Sequence, residues 1–168
     1  MKKRILFVIF LAATIISFAQ QDTTAPLAPP YLRFPDLPPF KLLKVDSVTY
    51  FTKADVPKNK PVLLMIFDPN CDHCQHATED ILKNIESLKN IQVVMSTNAS
   101  FEGLKDFYNR YELANYKNIT VGLEVKYFLV PFYDVRNLPY LAMYDKKGKL
   151  ITTHEGTIKI EAVIEAFK

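Results

Sequence analysis

The stretch FDPNCDHCQH, Phe67 to His76, holds both cysteines of a 168-residue chain and two of its three histidines. Thiols and imidazoles bind soft metal ions, two thiols can close a structural bridge, and a thiol pair can exchange electrons with another protein's disulfide. Spacing separates these chemistries. A Cys71–Cys74 bridge closes a loop of about four residues, which the chain-entropy account values near 2 kcal/mol against about 3 for fifteen residues. A stability role favours a longer loop. Cys71, His73, Cys74 and His76 crowd four zinc donors into six residues, whereas closed tetrahedral sites join two separated pairs. Copper suits thiolates with an imidazole, and His154 is the one histidine outside the stretch. Exchange needs only the pair.

Exchange also needs a thiolate, because an unperturbed cysteine is only about 3% ionised at pH 7. A helix beginning at Cys71 turns its unpaired N–H groups and the positive end of its dipole toward that sulfur, favouring negative charge there. Cys74, one turn further on, aligns with a buried stripe. The two thiols therefore divide the work: Cys71 attacks and Cys74 resolves the mixed disulfide. His73 can share a proton and stabilise the Cys71 thiolate, which makes the disulfide a better oxidant, while the charge of Asp72 works against it. His76, more than a turn away, reads as a solvated residue.

The elements around this stretch follow from periodicity. Val62 to Phe67 is apolar throughout and follows Lys60-Pro61, as suits a strand buried on both faces. Cys74, Ala77, Ile81, Ile85 and Leu88 recur at three- and four-residue steps, predicting a helix from about Cys71 to Lys89. Ile91 to Ser96 reads as a strand, and Leu104, Phe107, Tyr108 and Tyr111 as the face of a second helix. Strand, helix, strand, helix argues for an α/β layer fold. Phe40–Val45 and Thr49–Phe51 form a leading hairpin around Asp46-Ser47. Asn115 to Tyr133 fits a strand or an irregular insertion equally. Tyr140–Tyr144 and Leu150–His154 are hairpin strands joined by Asp145-Lys146-Lys147-Gly148. Thr157 is placed to cap a last helix carrying Ile160, Val163, Ile164 and Phe167.

The beginning of the chain bears on compartment. Lys2, Lys3 and Arg4 precede an apolar run from Ile5 to Phe18, and Ser17-Phe18-Ala19 fits the small-x-small rule, so 1–19 reads as a secretory signal. At about 14 residues the run is short for a membrane span, and membrane association follows only if it is not cleaved. The product is expected to be periplasmic or secreted, where two cysteines can pair. The chain has 21 basic and 18 acidic side chains, so losing the signal leaves the charges balanced. No electrostatic footprint for nucleic acid remains. Residues 20–39 are dense in proline and read as an extended linker; 40–168 forms one domain.

A buried strand running into Cys-x-x-Cys at a helix start ("VLLMIFDPNCDHC"), followed by a proline just before a terminal hairpin ("YDVRNLPYLAMYDKKGKLITTHEG"), resembles the thioredoxin-like superfamily, and most its exported TlpA-type thiol-disulfide oxidoreductases. The resemblance implies an α/β fold with a central mixed sheet flanked by helices, no cofactor, and protein thiols or disulfides as partners, together with a redox partner that recycles the pair. No added dimerisation domain of the isomerase kind appears, which favours a monomer, and the crowding of the four donors argues against a metal ligand set. It implies a cis peptide bond before Pro139, opposite Cys71 and Cys74, with Leu138 offering backbone groups to an extended substrate. Other readings within the fold are a copper carrier or chaperone and a noncatalytic binding module. Two positions depart from the family's pattern: Met65 stands where a buried acid commonly lies, and Asn70 replaces the usual tryptophan.

Overall fold

The molecule is described by a computed structural model covering residues 28–168. The export segment expected at 1–19 lies outside these residues. Seven strands form one sheet: β1 (Lys41–Leu43), β2 (Tyr50–Thr52), β3 (Val62–Ile66), β4 (Gln92–Thr97), β5 (Ile119–Glu124), β6 (Tyr140–Tyr144) and β7 (Leu150–Glu155), in the order β2-β1-β5-β4-β3-β6-β7. β3 runs parallel to β4 and antiparallel to β6, so the sheet is mixed. The helices are α1 (Pro30–Arg33), α2 (Asp72–Lys83), α3 (Phe101–Arg110), α4 (Leu129–Tyr133) and α5 (Ile160–Glu165). None is long and apolar enough to cross a membrane.

All five residues of β3 are buried, because both sheet faces are covered. Leu63, Met65 and Phe67 point into one core with Cys74, Ile81, Leu104, Phe107 and Val163. Leu64 and Ile66 point into the other with Phe40, Leu129, Tyr133 and Tyr144. Truncating a leucine in such a strand to alanine costs about 2–5 kcal/mol. The strand's rigidity fixes where its last residue delivers the chain to Cys71.

Several elements differ from the sequence expectation. The first long helix ends at Lys83 rather than near Lys89, where the Asn84 side chain donates to the Asp80 carbonyl at 2.9 Å. Such a bond competes with the helical ladder. Three-residue turns then carry the chain on and still enclose Leu88 completely. Thr157 does not cap the last helix, whose N-cap is Lys159.

The proline-dense segment, read as a linker to residue 39, packs on the domain from Pro30. The Tyr31 ring lies tilted against Tyr133 with centroids 5.8 Å apart, Leu37 is buried, and the Leu37 N–H donates to the Gly148 carbonyl at 2.8 Å. Tyr31 and Leu37 are apolar anchors that proline density concealed. The undecided stretch 115–133 resolves into β5 and α4. β5 pairs in parallel with β4 and antiparallel with β1. Its Gly122 is required there, since a Cβ would meet Leu42 Cβ and the Leu43 carbonyl oxygen at 2.8 Å.

Candidate active site

Asp68, Pro69 and Asn70 make the turn that carries β3 into α2. The Cys71 N–H donates to the Asp68 carbonyl at 3.1 Å, and the Asn70 N–H to Asp68 Oδ1 at 2.8 Å. Aspartate at the first position and proline at the second suit a tight turn, the one by its side-chain acceptor and the other by its fixed φ. Gln75 Nε2 reaches back to the Pro69 carbonyl at 2.9 Å and ties the first helical turn to this loop.

Cys71 thereby becomes the N-cap of α2, extended in backbone and partly exposed. Its side chain caps no N–H group, so the first-turn donors face outward beside it. Cys74 is 0% exposed. Its thiol is pushed up to about 12, first by burial and then by its hydrogen bond with Cys71, with the Asp68 carboxylate adding to the rise and the Asp68 N–H opposing it. Both thiols are free. One sulfur is open to a partner, and the other waits protonated within hydrogen-bond reach.

Asp72 and His73 are both exposed on the first turn of α2, beside the open sulfur. His76 is exposed as well. Met65 is 0% exposed in the centre of the sheet, registered with Met95 and Leu141. No acid lies at that place. His154 sits in β7, where its Nε2 is 3.0 Å from the Thr157 carbonyl oxygen. Among the described residues, no three His, Cys, Asp or Glu side chains gather as a metal set would.

The Leu138–Pro139 peptide bond is cis. Pro139 is buried, and its carbonyl accepts from the Gly156 N–H at 2.8 Å. Leu138 is partly buried, and among the described residues neither its N–H nor its carbonyl has a hydrogen-bond partner. It lines a cavity of about 320 Å³ together with Phe67, Asp68, Tyr127, Val135 and Arg136. The loop bearing Leu138 and the turn preceding Cys71 therefore share one recess.

Two residues of this neighbourhood escaped the sequence reading. Asp68 was legible as a turn former, and nothing in the pattern placed it on the recess beside Leu138. Glu124 is a buried carboxylate, 2% exposed, whose Oε2 accepts from the N–H groups of Phe128 at 2.8 Å and Leu129 at 3.1 Å. Asn98 donates to its carbonyl oxygen. Glu124 thus anchors the loop that presents Tyr127, a residue with φ of 52° and 60% exposure, to the cavity. The signal was an acid four and five residues before the N–H groups it holds.

A family model described as a thioredoxin-like domain matches residues 52–168. No curated protein matches the chain. Among solved structures, the exposed lipoprotein thioredoxin of Streptococcus pneumoniae is 27% identical, with a TM-score of 0.58 over 76% of this chain and 98% of that one. A secreted Mycobacterium tuberculosis disulfide oxidoreductase homologous to E. coli DsbE is 17% identical, with a TM-score of 0.63 over 76% and 92%. DsbF of the same bacterium, in mixed oxidised and reduced forms, is 18% identical, with a TM-score of 0.63 over 76% and 91%.

Proposed function

The chain belongs to the thioredoxin-like domain family, and from that membership we propose that it exchanges disulfides with exported proteins through Cys71 and Cys74. The observation that carries this reading is the asymmetry of the pair: Cys71 partly open at a helix N-cap, Cys74 enclosed one turn further on. In the reducing direction the Cys71 thiolate attacks a substrate disulfide, forming a mixed disulfide and releasing one substrate thiolate. Cys74 loses its proton and attacks the Cys71 sulfur, closing the intrachain disulfide and releasing the second substrate thiol. Two electrons pass to the substrate, and a separate thiol donor restores the pair. The oxidising direction is the reverse.

Leu138 supports the role of substrate groove by its unpartnered backbone groups, which an extended segment can pair with as an added strand. Pro139 fixes that segment's approach opposite the helix N-terminus. Asp72 and His73, exposed beside Cys71, tune how strongly the pair holds electrons. Export is supported by the basic and apolar beginning of the sequence, and by relatives described as an exposed lipoprotein and a secreted oxidoreductase. The protein acts as a monomer in the periplasm or outside the cell.

Turnover on a disulfide-bonded protein, with dithiothreitol as electron source, tests this reading: the native chain accelerates cleavage and Cys71→Ala does not. Equal rates for the two would overturn it. The equilibrium potential of the couple assigns direction, near −270 mV for a reductant and near −120 mV for an oxidant.

A further inference from the structure

Charges that balance over residues 20–168 are not evenly placed. β6 runs antiparallel to β3 with Tyr144 opposite Val62, so the turn after Tyr144 lies at the end of the sheet away from Cys71 and Pro139. A recess of about 410 Å³ opens there, lined by Lys53, Lys58, Lys60, Lys146 and Lys147. Its one acid, Asp36, is already paired with Lys149 at 2.7 Å. The acids nearest in sequence are engaged too: Asp55 accepts from Thr52, and Asp145 accepts from the N–H groups of Lys147 and Lys149 at 2.8 and 2.9 Å. Lys53 donates to the Leu37 carbonyl. Lys58, Lys60, Lys146 and Lys147 make no ion pair among the described residues, and all but the half-buried Lys60 are exposed.

We propose that this lysine-lined end of the molecule docks on an anionic phospholipid surface and leaves Cys71 facing away from it. The inference goes beyond disulfide exchange and holds whatever chemistry the thiols perform. Two segments distant in sequence, 53–60 and 146–147, supply the lysines, and no arginine lines the recess. A fixed carboxylate is matched best by the planar guanidinium fork, whereas an ammonium on a flexible stem suits headgroups that move laterally. Exposed Pro57 and half-buried Val56 sit among the lysines and offer a shallow apolar contact. Excess lysine beside an anionic leaflet is attracted within a Debye length. The five residues of β3, about 16 Å of strand, separate the recess from the turn that leads to Cys71. A protein held by this end keeps its open sulfur toward the solution.

Vesicle sedimentation tests the proposal on protein produced from the full sequence. Vesicles of phosphatidylcholine carrying one-quarter phosphatidylglycerol are compared with phosphatidylcholine alone. The proposal requires tighter binding to the anionic vesicles, fading as sodium chloride rises to about 0.5 M and screens the charges. Lys58→Gln, Lys146→Gln and Lys147→Gln together should weaken that binding roughly 100-fold, about fivefold for each lysine. Lys105→Gln, Lys126→Gln and Lys159→Gln form the matched control, since these lysines follow the opposite ends of β4, β5 and β7, and should change it less than about twofold. All six side chains are exposed, so the fold is kept. Native protein and both triples share Lys2, Lys3 and Arg4, so any pull from the first residues cancels in the comparison. Equal binding to the two kinds of vesicle, no loss in the first triple, or an equal loss in both triples overturns the proposal. Retention on immobilised polyglutamate without vesicle binding overturns it in favour of an acidic protein partner. Orientation has its own readout: iodoacetamide should label Cys71 as fast on vesicle-bound protein as on free protein, and a slowing of about tenfold overturns the outward placement.

Discussion

Cys71 is partly open at a helix N-cap, while Cys74 is wholly enclosed one turn deeper. The protein thus presents a single accessible sulfur while a second stands directly behind it. Burial holds the Cys74 thiol well above its ordinary range, so it is neutral at pH 7.

Alkylation follows that asymmetry. Iodoacetamide at pH 7 should label the reduced native protein once, at Cys71, and reach Cys74 only after unfolding, as peptide mass mapping would show. Equal labelling of both cysteines in the folded chain would contradict the burial. The raised Cys74 value also sets an alkaline limit. Folding favours the neutral thiol, so its contribution is present below the ordinary value of 9.0 and is lost as pH climbs toward about 12. Denaturant titrations of the reduced protein should show stability falling more steeply across that window than in Cys74→Ser.

Gly122 has no room for a side chain between β5 and β1. The contacts a methyl group would meet include backbone of β1, which cannot swing aside. Gly122→Ala should lower stability by about 1–3 kcal/mol, the usual cost of overpacking, and loosen the leading hairpin first. Urea unfolding gives the magnitude, and hydrogen exchange at Leu42 and Leu43 gives the place.

Asp72 and His73 flank the open sulfur with opposite charge tendencies, both from solvent. Their effects on the couple should be small and opposite in sign, since exposed charges near a helix end contribute only weakly. His73→Ala should shift the potential about 10–20 mV toward the reducing side, and Asp72→Asn by a similar amount toward the oxidising side. Equilibration against glutathione, read by thiol trapping, resolves shifts of that size. Shifts of the same sign in both variants would remove them as opposing tuners.

Much of this arrangement was written in local pattern. An unbroken apolar run between Pro61 and Asp68 can only be a strand covered on both faces, and the switch to a helical period after Cys71 fixes which thiol is open and which is enclosed. The Asp46 and Asp145 turns were legible because their carboxylates bind the N–H groups two to four residues on. Long-range relations were not. That β5 would insert between β1 and β4 depends on a backbone approach at Gly122, and one residue carries no period. Proline density at 30–39 hid two apolar anchors, Tyr31 and Leu37, because composition averages over the few side chains that dock. Asp68 and Glu124 looked like ordinary turn and strand-end acids; that the first lines the recess beside Leu138 and the second holds the Phe128 and Leu129 N–H groups is defined by how the chain closes around them.

The account stands most directly on whether Cys74 releases what Cys71 captures. Cys74→Ala, expressed from the full sequence in cells and isolated after acid quenching, should carry partner proteins in covalent adducts that dissolve on reduction, whereas Cys71→Ala and the double variant carry none. Adducts absent from Cys74→Ala, or equally present when Cys71 is removed, would contradict the account.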